Sequence, residues 1–318
     1  MMTLDIHHTT TYRYANPVTF GDHRLMFRPR DSHDLRLIET GLVISPPPAS
    51  VRWLHDVFGN SIAVASFDQP ATELRFESHI RVDHYPMGEL EFPIEDYARS
   101  YPFSYSAEEV PDLALTTQRH YPDPDHLVDE WARQFVTLGE GGPPDTQDML
   151  VSMTRAIKDT FTYQARDLEG TQSPVDTLTL KSGSCRDFAL LMMEAVRSLG
   201  FAARFVSGYL YDPARDGQEG AMTGGGATHA WVEIYLPGCG WVEFDPTNGI
   251  IGGKNLIRVA VARDPSQAVP LGGSWTGAPA DFLGMTVDVQ VTATGGTGAG
   301  GTGAGGAPQN PAPVAGTV

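Results

Sequence analysis

The amino-acid sequence predicts an α+β fold, in which a β-sandwich-like domain precedes a core that packs a helix on an antiparallel sheet. Three observations lead to this class. Short runs of alternating apolar and polar residues, separated by turn residues, fill residues 3–100 and are typical of a sandwich. Apolar residues at helical spacing follow in DMLVSMTRAIKDTF and CRDFALLMMEAVRSLG. The alternating segments THAWVEIY and GWVEFD, joined by a short turn, then predict a strand pair.

The N-terminal strands are recognisable by their period of two. In TTTYRYANPVTFGDHRLMFRPR the large apolar side chains are Tyr12, Tyr14, Val18, Phe20, Leu25 and Phe27. DLRLIETGLVISPPP, RWLHDVFGNSIAVASF and ATELRFESHIRVDHY continue the pattern, with breaks at Pro46–Pro48 and Gly59–Asn60. Residues 93–128 are rich in proline and polar side chains, which predicts a linker with short helical pieces.

We therefore divide the chain into three parts. Residues 1–105 form the β-rich N-terminal domain, and residues 106–292 form the core, in which LIRVAVARD and MTVDVQVTAT supply the C-terminal strands. Residues 293–318 consist almost entirely of Gly, Ala, Thr and Pro. Such a composition cannot bury a core, so we expect this tail to be disordered.

The composition limits the partners and the compartment. The net charge of −17 disfavours nucleic acids and anionic membranes as partners. The start MMTLDIHHTTTYRY lacks the features of a signal peptide, and no apolar run reaches the roughly 18 residues of a membrane span. Two cysteines do not make a disulfide framework. We expect a cytoplasmic protein, because free thiols persist in a reducing compartment. The sequence does not predict an oligomeric state.

Cys185 lies where the turn SGS meets a predicted helix that ends at Gly200. The apolar residues of this helix share one face: Phe188, Leu191, Met192, Ala195 and Leu199. In the first turn of a helix, unpaired backbone N–H groups and the helix dipole favour negative charge. The position therefore suits a nucleophilic thiolate whose oxyanion is bound by backbone N–H groups. Position alone equally allows a buried structural cysteine.

A thiolate nucleophile needs a base, and His229 has a suitable setting. The alternation in the two strand segments puts His229 and Asp245 on the face opposite the apolar side chains, at the end far from the turn LPGCGW. This requires a hairpin loop of odd length or a bulge, because an even loop would place the two on opposite faces. Asp245 could then orient the imidazole as the third member of a triad does.

These segments resemble the transglutaminase-like superfamily, and its bacterial members most closely. GSCRDFALLMMEAVRSLGFAARFVSGYL and HAWVEIYLPGCGWVEFDPTNG carry the resemblance, with the order Cys185, His229, Asp245. TYRYANPVTFGDHRLMFRPR, HDVFGN and LIRVAVARDPSQAVPLGGSWTG resemble the flanking regions, so the likeness reaches about residue 292. The resemblance implies a papain-like core after a β-rich domain.

The resemblance also implies a chemistry. Cys185 would be the nucleophile, His229 the base and then the acid, and Asp245 the orienting carboxylate. The carbonyl of a carboxamide or peptide substrate would be attacked, ammonia or an amine would leave, and the acyl group would pass to water or to an amine. We prefer hydrolysis, because water is always present and no acceptor site is recognisable. No cofactor is implied, and the sequence shows no calcium loop.

Two other functions remain open. One is a non-catalytic binding protein that keeps the fold, and the other is a metal site built from Cys185, His229 and Asp245, although no close-spaced ligand pair is present. Several details are also open. Cys239 is interpreted as a bystander rather than a redox partner. TLTLKSGSC contains no glutamine, so the second oxyanion donor is unassigned, with Tyr163 as a candidate.

The surroundings of the predicted site allow two readings. Trp231 and Trp241 either wall the cleft or are core aromatics. The glycine-rich loop at 217–227 is either a lid or an ordinary flexible connection.

Overall fold

The computed structural model describes residues 1–85, 92–136, 142–166, 170–216 and 222–294. From residue 295 onward the predicted disordered tail lies outside these ranges, as do residues 217–221 of the glycine-rich loop that was interpreted as either a lid or a flexible connection. Within the described ranges, no helix is long and apolar enough to cross a membrane.

The elements alternate between long strand runs and short helices. The strands are β1 (Met2–Leu25), β2 (Leu35–Ser45), β3 (Ser50–His55), β4 (Ser61–Ser66), β5 (Ala71–His84), β6 (Thr162–Tyr163), β7 (Ser182–Gly183), β8 (Ala203–Leu210), β9 (His229–Leu236), β10 (Gly240–Asp245), β11 (Ile250–Ile251), β12 (Leu256–Ala262), β13 (Leu271–Thr276) and β14 (Phe282–Ala293). The α-helices are α1 (Glu109–Thr117), α2 (Leu127–Arg133), α3 (Thr146–Thr160), α4 (Pro174–Leu180) and α5 (Cys185–Ser198).

Strand β1 serves both halves of the N-terminal domain. Its first half pairs with β5 and β14, and its second half pairs with β4 and β13. The pairing is interrupted between Arg13 and Val18, where Pro17 cannot donate to a strand ladder. Leu25 from β1, Ala63 from β4 and Phe76 from β5 meet in one buried cluster, so the two halves pack face to face. This confirms the predicted β-sandwich-like domain.

Of the C-terminal strands, LIRVAVARD is β12 of the core, as predicted, whereas β13 and β14 belong to this same N-terminal domain. Both β13 and β14 pair with β1, and β14 follows it from Leu4 to Tyr14. The division drawn from the sequence assigned these strands to the core of residues 106–292, which differs from the observed pairing. Strand-forming runs reveal that a segment is extended, whereas the partner is chosen by the free edge that the three-dimensional fold offers.

The core is a five-stranded antiparallel sheet with helices packed against it. The strand order is β11–β10–β9–β8–β12, and helix α5 lies against β9 and β8. The predicted apolar faces of the hairpin meet one cluster that also holds Phe188 and Leu191 of α5. The predicted α+β class, with a helix that starts at the cysteine and packs on an antiparallel sheet, is confirmed.

Helix α5 is buried on nearly all sides, which the single apolar face did not predict. Its polar residues Asp187, Glu194 and Arg197 are buried as well. Arg197 donates to Glu194 at 3.0 Å, and the same carboxylate accepts from the backbone N–H groups of His120 and Tyr121. Buried charges are stable in this way only when they are paired and hydrogen-bonded. The preceding chain covers the polar side of the helix, so α5 is the centre of the core.

The two domains are joined by specific polar contacts. The side chain of Asn60, from the β3–β4 turn, donates to the Val261 carbonyl oxygen at 2.7 Å and accepts from the Val261 N–H at 2.9 Å. Arg258 in β12 reaches Asp34 at 3.1 Å. The amide of Asn60 therefore binds β12 much as a neighbouring strand would.

Candidate active site

Cys185 is the first residue of α5, as the sequence predicts. Ser184 caps the helix, since both its backbone N–H and its hydroxyl donate to Asp187 at 2.8 Å. Arg166 holds the other oxygen of Asp187 at 2.7 Å, which fixes the entrance of the helix. The residue is 7% exposed and belongs to the main apolar cluster. The N–H of Cys185 is one of the donors that helix geometry leaves without an intrahelical acceptor.

His229 and Asp245 form a buried pair on the neighbouring hairpin. The Nε2 atom of His229 lies 2.8 Å from Oδ2 of Asp245, and both side chains are shielded from solvent. Leu236 pairs with Gly240, which leaves the three-residue loop 237–239 between β9 and β10. Of the two arrangements that the sequence allowed, an odd-length loop or a bulge, the structure contains the odd-length loop. It brings the two residues together on one face, at the end of the hairpin far from the turn.

Asp245 is held by three donors. Besides His229, it accepts a hydrogen bond from the Thr247 N–H at 2.8 Å and from the Asn248 amide at 2.9 Å. Asn248 also exchanges two hydrogen bonds with the backbone of Thr223. The sequence analysis did not single out Asn248. The only signal was its place in DPTN, where an asparagine is usually read as a turn residue.

The electrostatics of the pair favour a protonated imidazole. Burial lowers the pKa of His229, but the Asp245 carboxylate, which is also its hydrogen-bond partner, and the neighbouring Cys185 thiol outweigh it and raise that pKa to about 10. Burial raises the pKa of Asp245, yet the charge of His229 and the three hydrogen bonds bring it below its usual value. The carboxylate is therefore ionised wherever the protein is folded at neutral pH.

The second ring nitrogen of His229 is the one available for chemistry. Its Nδ1 atom is buried and makes no hydrogen bond within the described residues, while the neighbouring Cys185 helps to raise the pKa of the ring. A Cβ atom at Gly224 would lie 3.1 Å from Nδ1 and 3.6 Å from the Tyr163 hydroxyl oxygen. The chain thus passes close to Nδ1 at a position where a side chain would be crowded and where the φ of +87° favours glycine.

The other residues considered from the sequence have clear places. Trp231 is fully buried beside Val206 and Leu256 and stacks on His229 at 6.0 Å between ring centroids, so it is a core aromatic under the site. Trp241 lies under the guanidinium of Arg204 near the hairpin turn, away from His229. Neither side chain walls a cleft at the site.

Cys239 is a separate, free thiol. It lies in the turn of the hairpin, at the end opposite His229 and Asp245, and neither cysteine forms a disulfide. Burial raises the pKa of Cys239 to about 11. A thiol of this kind is mostly protonated and unreactive at neutral pH.

The arrangement can be compared with the geometry that a metal site requires. In the part of the chain that the structure describes, no three His, Cys, Asp or Glu side chains are grouped so that they could hold a metal ion. Nε2 of His229 is directed at Asp245, so the pair is arranged to orient a ring and stabilise its charge. A thiol near an imidazole that a carboxylate orients can act as a nucleophile in acyl transfer.

Comparisons with known proteins agree with this architecture. Residues 4–83 match the family model of the bacterial transglutaminase-like N-terminal region, and residues 131–246 match that of the transglutaminase-like superfamily. An uncharacterized protein of Mycobacterium bovis is 28% identical over 295 residues, which cover 89% of this chain and 90% of that protein. An uncharacterized protein of Mycobacterium leprae is 27% identical, with 91% and 99% covered.

The fold is also shared with a solved structure. A candidate cysteine protease from Cytophaga hutchinsonii superposes with a TM-score of 0.64 at 18% identity, over 92% of this chain and 91% of that one. At this identity the likeness concerns the fold. The two family matches show that residues 131–246 belong to the transglutaminase-like superfamily and that residues 4–83 form the N-terminal region of its bacterial members.

Proposed function

We propose that the protein is a cysteine-dependent acyl-transfer enzyme that hydrolyses a carboxamide or peptide amide of a peptide or protein substrate. The observation that carries the proposal is the buried His229–Asp245 pair, which leaves Nδ1 of His229 free beside the thiol at the start of α5. A buried imidazole with a carboxylate on one nitrogen and a thiol at the other has the parts of a nucleophilic site.

In the proposed reaction, Cys185 and His229 form a thiolate–imidazolium pair. The thiolate attacks the substrate carbonyl carbon, and the electron pair of the C=O bond moves to the oxygen. When the tetrahedral intermediate collapses, the imidazolium gives its proton to the departing nitrogen, and ammonia or an amine leaves. Water then attacks the thioester, His229 takes a proton from this water, and the carboxylic acid leaves as the thiolate–imidazolium pair is restored. Asp245 keeps the ring oriented and stabilises its positive charge throughout.

The first test is the reactivity of the thiol towards iodoacetamide, resolved by site with mass spectrometry. A free thiol with a pKa of about 8.5 reacts slowly near pH 6, whereas a thiolate paired with an imidazolium reacts quickly. We expect fast alkylation of Cys185 at pH 6 that is lost in His229→Ala. Cys239 is the internal control in the same molecule and should stay slow. Equal reactivity of the two cysteines would contradict the proposal.

The second test separates hydrolysis from amine transfer. Glutamine-containing peptides are incubated with the enzyme and with Cys185→Ala, with and without a lysine analogue, and the products are weighed by mass spectrometry. Hydrolysis adds about 1 Da per converted carboxamide and releases ammonia, whereas transfer adds the mass of the amine less ammonia. We expect the hydrolytic product also in the presence of the amine. Incorporation of the amine as the main product would make the enzyme a transferase.

A further inference from the structure

Tyr163 is fixed beside the chain segment that leads into Cys185. Strand β6 pairs in parallel with β7, so that Tyr163 lies opposite Gly183. The flanking residues close this pairing, since Thr162 N–H donates to the Lys181 carbonyl and Gln164 N–H to the Gly183 carbonyl, both at 2.8 Å. The ring of Tyr163 meets the buried ring of Phe188 edge to face, one turn further along α5. Backbone and ring are thus both anchored.

The hydroxyl group of Tyr163 faces the candidate site. The position that a Cβ atom would take at Gly224 lies 3.6 Å from this oxygen and 3.1 Å from Nδ1 of His229. The two groups therefore border the same small space. Within the described residues, the structure records no hydrogen bond from this hydroxyl. A half-buried hydroxyl beside the candidate site, with no hydrogen-bond partner among the described residues, is a donor available to a substrate.

This hydroxyl keeps its proton under working conditions. Burial, and then the negative charge of Cys185 followed by those of Asp187 and Asp245, raise the pKa of Tyr163 to about 12. At neutral pH the group is therefore a hydrogen-bond donor, and it is a better donor to a developing negative charge than to a neutral oxygen.

The other side chain near this segment is already engaged. The amide of Gln172 lies against Gly183 on the side of Asp187, where its Nε2 donates to the Ser182 carbonyl at 2.9 Å. The sequence TLTLKSGSC contains no glutamine. Gln172, further upstream, reaches this segment, but its side chain hydrogen-bonds the backbone before Cys185. Its main-chain N–H likewise donates to Asp187.

We propose that Tyr163 is a catalytic residue, whose hydroxyl donates a hydrogen bond to the oxyanion that forms when Cys185 attacks the substrate. The other hydrogen bond to this oxyanion comes from the Cys185 N–H. This rests on the proposed function. When the C–S bond forms and the C=O electron pair moves to oxygen, both donors bind that oxygen, and Tyr163 retains its proton. When the intermediate collapses, the pair returns and the leaving group departs. Preorganised donors of this kind stabilise the transition state more than the substrate.

The test compares two reactions of the same thiol in wild type and Tyr163→Phe. Iodoacetamide is attacked at a saturated carbon, so its alkylation forms no oxyanion and reports only the thiolate–imidazolium pair. Acylation by p-nitrophenyl acetate passes through an oxyanion and is followed as the burst of nitrophenolate. We expect Tyr163→Phe to slow the burst by about 10²-fold to 10³-fold, the usual effect of removing one oxyanion donor. Alkylation should stay within about twofold of wild type.

Tyr101→Phe is the matched control. It removes a tyrosine hydroxyl that donates to the Leu199 carbonyl at 3.0 Å, at the opposite end of α5. Both of its rates should equal those of wild type. Circular dichroism melting of all three proteins shows that the compared forms are folded.

The outcomes separate the two proposals. An unchanged burst in Tyr163→Phe would overturn the role of Tyr163 while leaving the proposed function intact. An equal loss of burst and alkylation would also overturn it, because the hydroxyl would then act on the thiolate–imidazolium pair. A wild-type Cys185 whose alkylation does not depend on His229 would refute the proposed function itself, and this inference with it.

Discussion

Replacing Asp245 by asparagine tests the electrostatic reasoning most directly. The substitution keeps the size of the side chain but removes the negative charge that raises the pKa of His229 against the effect of burial. Burial is then opposed by Cys185 alone, so we expect the pKa of His229 to fall from about 10 to 6.5 or below. At pH 8 the protonated fraction of the ring would fall from nearly complete to about 3%, roughly a 30-fold loss.

The same change also alters which ring nitrogen carries the proton. An amide beside Nε2 can donate to it, which would leave the proton on Nδ1 and remove the base that faces the thiol. In another Asp–His nucleophilic site, the equivalent change lowers turnover by about 10⁴-fold, and we expect a loss of that order here.

The assay is NMR titration of histidine rings in selectively labelled protein. The chain has ten histidines, so the signal of His229 is identified by its disappearance in His229→Gln. Peptide hydrolysis is measured on the same samples, and the exposed Asp125→Asn variant is the control for a charge change elsewhere. A His229 ring that still titrates near pH 10 in Asp245→Asn, or a loss of turnover below about tenfold, would refute the reasoning.

Three further predictions concern the surroundings of the site. Gly224→Ala should reduce turnover at least tenfold, because the new Cβ lies 3.1 Å from His229 Nδ1. Gly200→Ala is the control, since Gly200 has a similar φ of +90° with open space around it. This control should lower only the free energy of unfolding, by the backbone strain of about 1–2 kcal/mol. Thermal melting and turnover are measured for both variants and wild type. An equal loss of turnover in the two variants would contradict this prediction. Asn60→Ala leaves the buried backbone groups of Val261 without partners and should lower the free energy of unfolding in urea by about 2–4 kcal/mol, and a loss under 1 kcal/mol would show that these contacts are replaced by water. Burial and the nearby Glu233 raise the pKa of Glu243 to about 8. A raised carboxyl pKa stabilises the fold at pH below about 4.5, and this contribution is lost as pH rises to about 8, so the melting temperature of Glu243→Gln should fall less than that of wild type between pH 5 and pH 8. Equal falls of the melting temperature in the two proteins would show that Glu243 does not bind this proton.

The local pattern of the sequence predicts helices, strands and the order of the site residues well. Helix α5 begins at Cys185 because SGS supplies its cap, and Gly200 follows its last turn with φ of +90°. The alternation in the hairpin places His229 and Asp245 on one face, given the odd loop that the structure contains. These features depend on neighbours a few residues apart, which is the range over which sequence periodicity carries information.

The sequence by itself determined the α+β class, the helix that starts at the cysteine, and the hairpin that carries the histidine and the aspartate. Tertiary structure alone decided which distant segments meet there. Strands β13 and β14 return to pair with β1, Asn248 ties Thr223 to Asp245, and Gln172 reaches the backbone before the thiol. Such contacts join groups through single hydrogen bonds or a free strand edge, and neither leaves a periodic trace in the sequence. The charge of His229 is likewise set only in the folded chain, where Asp245 and Cys185 outweigh the burial that lowers its pKa.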